Sequence, residues 1–107
     1  MTYKLMPAAA LVDIDGTLVD VSSVRHHVAG PGKRNFDAFH RESADCPPIA
    51  KTLTWVEEMH DAGHHILVVT ARMEKWREIT EFVLCAVAVR GGSMFWTTVA
   101  IRRRTDI

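Results

Sequence analysis

A chain of 107 residues has room for one small domain and no second core, and its apolar (48%) and charged (24%) fractions are those of an ordinary globular fold. Lys plus Arg balances Asp plus Glu at 13 each, which excludes an overall field that would steer the protein to nucleic acid or membrane; a polyanion would have to be met by a local patch. The apolar runs fall short of the roughly 18 residues that a membrane helix requires, so no membrane role is expected.

The opening "MTYKLMPAAALV" runs directly into Asp13 with no cleavage-like segment, so it reads as a buried strand, Ala8 to Ile14, and not as a leader. Gly16 ends that strand. Residues 20–35 are polar and hold Gly-Pro-Gly, the composition of a loop or small cap. "NFDAFHRESA" suits a short helix with Phe36 and Phe39 on one side. The next helix carries more signal. Asp45 is placed to cap it, prolines occupy its first turn, Ile49, Leu53, Val56 and His60 form one stripe, and Gly63 ends it. "HILVVTAR" is a second buried strand stopping at Thr70. "MEKWREITEFVL" is helical, with Met73, Trp76, Ile79 or Thr80, and Val83 inward. Beyond Leu84 the mixed apolar and β-branched residues suit one or two strands joined at Gly91-Gly92. The basic end, Arg102 to Arg104, reads as a solvated tail. The order of elements implies an α/β fold built on a parallel sheet, in a single domain over 1–107.

Chemistry concentrates where the first strand ends. Asp13 and Asp15 are two residues apart, so in an extended strand both side chains project to one side, and their repulsion requires compensation. Open α/β sheets place active sites at the carboxyl ends of their strands, and parallel neighbours would bring Thr70 beside Asp13. A hard divalent cation such as Mg²⁺ would relieve the repulsion, and a carboxylate can itself be a nucleophile. The bland alternative is a solvated Asp-Gly turn, which the preceding apolar strand and the following Gly-Thr-Leu disfavour. Thr70 taken alone reads as a plain strand end, and Arg72 as a helix-start residue. The doublets His26-His27 and His64-His65 lack a metal-ligand spacing and read as solvated loop residues. Trp55 and Trp76 read as core residues. Cys46 and Cys85 read as free thiols of a reducing cytosol, with a disulfide or zinc site as the weaker reading.

"LVDIDGTLVD" followed by "ILVVTAR" resembles motifs I and II of the haloacid dehalogenase superfamily of phosphohydrolases. More narrowly, residues 8 to 84 resemble the 3′-phosphatase domain of phage-type polynucleotide kinase–phosphatases. The resemblance implies a Rossmann-like fold, Mg²⁺ as cofactor held at Asp13 and at the backbone carbonyl of Asp15, and an aspartyl-phosphate intermediate. It implies that Asp13 attacks phosphorus and that Asp15 protonates the leaving oxygen and then activates water. Thr70, Arg72, Arg25 and the backbone at Gly16 and Ala71 would hold the phosphoryl group. The implied substrate is a 3′-phosphate on a nucleic-acid end, or a nucleotide or small metabolite. A kinase partner and a cytoplasmic setting are implied with it.

After Leu84 the chain departs from that pattern. The lysine and the acidic pair of the later motifs are not recognisable, although "RRRTDI" resembles the segment before the lysine, and Asp106 stands where a family acid would. An incomplete, truncated domain is therefore expected, with weak phosphatase activity or none, and a non-catalytic phosphate-binding or interaction remnant is the alternative. Two compensating frameshifts between Leu84 and Arg102 would explain the departure, a hypothesis that an unchanged reading on resequencing would sink.

Overall fold

The computed structural model describes residues 8–91 together with the backbone of 96–101. Strand β1 (Ala9–Val12) leads through helices α1 (Phe36–Glu42) and α2 (Ala50–Asp61) to strand β2 (His65–Thr70). Helix α3 (Arg77–Gly91) then leads to β3 (Trp96–Ile101). The three strands form one parallel sheet in the order β1-β2-β3, with Ala10 opposite Ile66 and Val12 opposite Val68. This is the α/β arrangement expected, with the third strand now placed.

Each element has a local cause. Asn35 caps α1 by accepting a hydrogen bond from the Ala38 amide at 3.0 Å. Leu53 and Val56 are the buried stripe of α2. Alternation along β1 and β2 sends Ala10, Val12, Ile66, Val68 and Thr70 to the buried face. They join Leu53, Val56, Val83, Leu84 and Val87 in the core. Each such aliphatic side chain, once fully buried, contributes about 1.5–3 kcal/mol over the exposed state. On the opposite face, among the described residues, Leu11 is 63% exposed, and Leu67 and Val69 are half-buried beside it.

Several expectations need correction. The helix after Leu84 continues to Gly91 where strands were expected, because Val83, Leu84, Val87 and Ala88 are buried at helical spacing. A glycine at position 91 allows this, since a Cβ there would collide with Leu53 of α2. Asp45 does not cap α2. It ends a 3₁₀ turn over Ser43–Asp45, and the helix starts after Ile49 with no side-chain cap. Met73 and Trp55 are exposed, as is His60, so none of the three belongs to the core. Trp76 is half-buried. Cys46 is a buried free thiol and Cys85 an exposed one. Arg102 to Arg104 and Asp106 lie outside the described residues.

Candidate functional site: an acidic loop closed by a buried arginine

β1 stops at Val12, two residues earlier than the alternation implies, so Asp13 and Asp15 lie in the loop beyond it and not on a strand face. The loop is anchored from below. Ile14, Leu18 and Val19 are fully buried, and the Ile14 carbonyl accepts from the amides of Thr17, Leu18 and Val19 at 3.2, 2.9 and 3.0 Å. The Ile49 amide donates to the Leu18 carbonyl at 2.8 Å and the Asp20 amide to the Pro47 carbonyl at 2.9 Å, which fastens the loop to the segment entering α2. Gly16 supplies the turn with φ of +78°, a conformation that costs an L-residue roughly 1–2 kcal/mol. Among the described residues, the only atom near a Cβ added there is Arg25 Nη2, at 4.0 Å. Gly16→Ala is therefore expected to cost about 1 kcal/mol through backbone strain alone, lowering Tm by roughly 4–8 °C in a thermal melt.

The two acids differ in surroundings. Asp13 is exposed, and its Oδ1 accepts from the Ile14 amide at 2.8 Å. It borders an open cleft of about 260 Å³ lined by Leu11, Val12, Asp13 and Val69. Asp15 is held by Arg72. Arg72 Nε donates to Oδ2 at 3.1 Å and Nη2 to Oδ1 at 2.7 Å, a two-pronged pair that fits the planar fork of guanidinium. The Arg72 side chain is 1% exposed and that of Asp15 27%.

Arg72 is itself fastened from three directions. Its amide donates to Thr70 Oγ1 at 3.1 Å, and its Nη2 also donates to Ser43 Oγ at 2.9 Å. Ser43 Oγ in turn donates to the His40 carbonyl at 2.7 Å. Nη1 is buried without a partner among the described residues. The His40 ring lies against Trp76 (4.6 Å between centroids) and Phe39 (5.4 Å). Burial, with the Arg72 charge second, pushes the His40 pKa down to about 4, while Asp15 and Asp37 act in the opposite sense.

The structure thus brings together Asp13, Asp15, Gly16, Arg25 and Arg72 around one loop. Thr70 is turned to the buried face, and its hydroxyl accepts from the Arg72 amide; the sheet register ends with Val12 opposite Val68. Ala71 is exposed at the end of β2. The sequence reading missed Ser43 and His40. Ser43 stands 29 residues from Arg72, and no local spacing marks the contact.

The residues also decide how well a Mg²⁺ ion would fit. Among the described residues no three His, Cys, Asp or Glu side chains come together as a metal group. Both Asp15 carboxylate oxygens are engaged by Arg72, which leaves the Asp13 carboxylate and the Asp15 backbone carbonyl. The described side chains therefore offer a divalent metal one free carboxylate and not a pair.

Fold and loop together define a parallel α/β domain with an acidic, arginine-bridged loop at the carboxyl end of its first strand. No family model matches the sequence, and no curated protein matches it. Among solved structures, one chain of the Pnkp1/Rnl/Hen1 complex superposes with a TM-score of 0.64 at 18% sequence identity, over 94% of this chain and 30% of that one. The likeness is one of fold, and this chain spans less than a third of that neighbour's length.

Proposed function

We propose that this chain is a phosphomonoester hydrolase domain of the haloacid dehalogenase type, with Asp13 as nucleophile. The observation that carries the proposal is the asymmetry of the acid pair: Asp13 exposed at a cleft, Asp15 two residues on and paired to a buried cation. Two carboxyl groups in unlike environments can divide the work of nucleophile and general acid.

In the first step Asp13 attacks phosphorus and the P–O bond to the alcohol breaks. The leaving oxygen takes a proton from Asp15, which leaves that residue a carboxylate. A water then attacks the phospho-aspartate as Asp15 takes its proton, and phosphate and the Asp13 carboxylate are regenerated. Taking up that proton means giving up part of the hold of Arg72 on Asp15, so the two-pronged pair belongs to the unprotonated half of the cycle. Arg25, with Nη2 close to Gly16, is placed to face a phosphoryl group at the loop. The resemblance adds Mg²⁺, which the Asp13 carboxylate and the Asp15 backbone carbonyl would hold and which would neutralise phosphoryl charge; no step is routed through it.

The favoured substrate is a 3′-phosphate on a nucleic-acid end, with a kinase as partner in a cytoplasmic setting. The fold neighbour comes from a complex whose name includes Pnkp1, and the loop over 20–35 is too short to roof a small substrate. Among the described residues no helix is long and apolar enough to cross a membrane. A second reading, phosphate binding without turnover, is favoured by the engagement of both Asp15 oxygens.

The test offers the purified chain a 3′-phosphorylated oligonucleotide, a mononucleotide and an aryl phosphate. Release of phosphate that Asp13→Asn abolishes, at least about 10³-fold, supports the hydrolase. Phosphate binding with no release on any substrate supports the second reading. Release that survives Asp13→Asn overturns the assignment of the nucleophile.

A further inference from the structure

We propose that Arg72, clamped by Ser43, is the resident counter-cation of the acidic loop and keeps divalent metal from bridging the Asp13 and Asp15 carboxylates. Two acids two residues apart need a compensating positive charge, and at Asp15 the described residues supply it from within the chain. The guanidinium engages both Asp15 oxygens at 3.1 and 2.7 Å, from a side chain that is 1% exposed. A hard cation bridging both carboxylates would have to compete with those hydrogen bonds and lie beside a buried guanidinium that cannot lose its charge.

The clamp makes displacement costly. Ser43 is fully buried, and its hydroxyl is committed at both ends, donating to the His40 carbonyl and accepting from Arg72. The Arg72 amide is tied to Thr70 as well. Swinging the guanidinium aside would leave Ser43 Oγ without its donor in a dry setting, and among the described residues Arg72 Nη1 already has no partner there. The arginine is therefore part of the built structure of the loop and not a surface group that a metal can push away.

The proposal rests on the hydrolase reading for the placement of the site, but its readout is binding. Absence of turnover would remove that reading and leave this one standing. Mn²⁺ is titrated into the ¹⁵N-labelled full chain, and paramagnetic broadening of the Gly16 amide is followed, with the amide of the exposed Asp61 as reference for loose surface binding. In the wild type Gly16 is expected to broaden no earlier than Asp61. Arg72→Gln frees both Asp15 oxygens, and Gly16 is expected to broaden at about tenfold lower Mn²⁺, an effect that Arg72→Gln with Asp13→Asn reverses. Ser43→Ala keeps every charge and loosens only the clamp, so a gain of about two- to fivefold is expected even if Arg72→Gln fails to fold. Selective broadening of Gly16 in the wild type would overturn the proposal. So would equal Mn²⁺ sensitivity in the wild type and the folded Ser43→Ala chain.

Discussion

Replacing Arg72 by alanine is expected to lower the unfolding free energy by about 2–3 kcal/mol. Removing one partner of a buried ion pair leaves the other charge poorly solvated, and such losses run to about 3–5 kcal/mol. Asp15 keeps 27% of its side chain in water, which places this site below that range. Ser43 Oγ loses its donor at the same time. Against a total stability of about 5–15 kcal/mol for a small domain the loss is large. Urea unfolding checks it. Adding Asp15→Asn to Arg72→Ala should recover at least about 1 kcal/mol, because the uncompensated charge goes with it. A loss under about 1 kcal/mol for the single variant would show that the pair holds nothing together.

The second large effect is acid instability centred on His40. In the unfolded chain a histidine takes its proton near pH 6.5, whereas in the folded chain the buried His40 ring holds it off until about pH 4. Between those limits the unfolded state binds more protons, so stability is fully present above about pH 6.5 and falls as the pH drops toward 4. The contribution is on the order of 2–3 kcal/mol across that window. His40→Phe preserves the ring contacts with Trp76 and Phe39. It also leaves the bond from Ser43, which goes to the backbone carbonyl. Unfolding free energies measured at pH 7.5 and 4.5 should differ less in His40→Phe than in the wild type. Equal slopes would remove His40 as the cause. Asp20, whose carboxyl is held below its usual value by hydrogen bonds from Ser22, is common to both proteins and cancels in the comparison.

The parts of the fold visible in the sequence are those set by local pattern. "HILVVT" is a β-branched run whose bounds as a strand coincide with β2, and the spacing of Leu53 and Val56 marks the inner side of α2. The stretch after Leu84 misleads for a physical reason. In "AVAV" small and β-branched residues alternate with period two, as in a strand, yet Val83, Leu84, Val87 and Ala88 also fit one helical stripe, and packing against the core decides in favour of the helix. The acidic motif located the loop. It did not show what neutralises it, because the arginine comes from 57 residues away and its clamp from 29 residues before that arginine. Such partnerships leave no periodic trace along the chain.

The bridge between Asp15 and Arg72 also bears on how the chain acquires its shape. The two residues flank a crossover that runs from the end of β1 through α1 and α2 to the end of β2, so closing the bridge closes a loop of 57 residues. The entropic penalty of such a closure grows only slowly with length, but it falls due before the contact forms. The bridge joins the ends of β1 and β2, so it is complete only when both strands lie side by side. Whatever occupies the acidic loop thereafter is linked to the whole βαβ unit: an occupant present at 100 times its Kd adds about 2.7 kcal/mol to global stability. Ligand binding at this loop should register as resistance to protease across the crossover, well away from the carboxylates themselves.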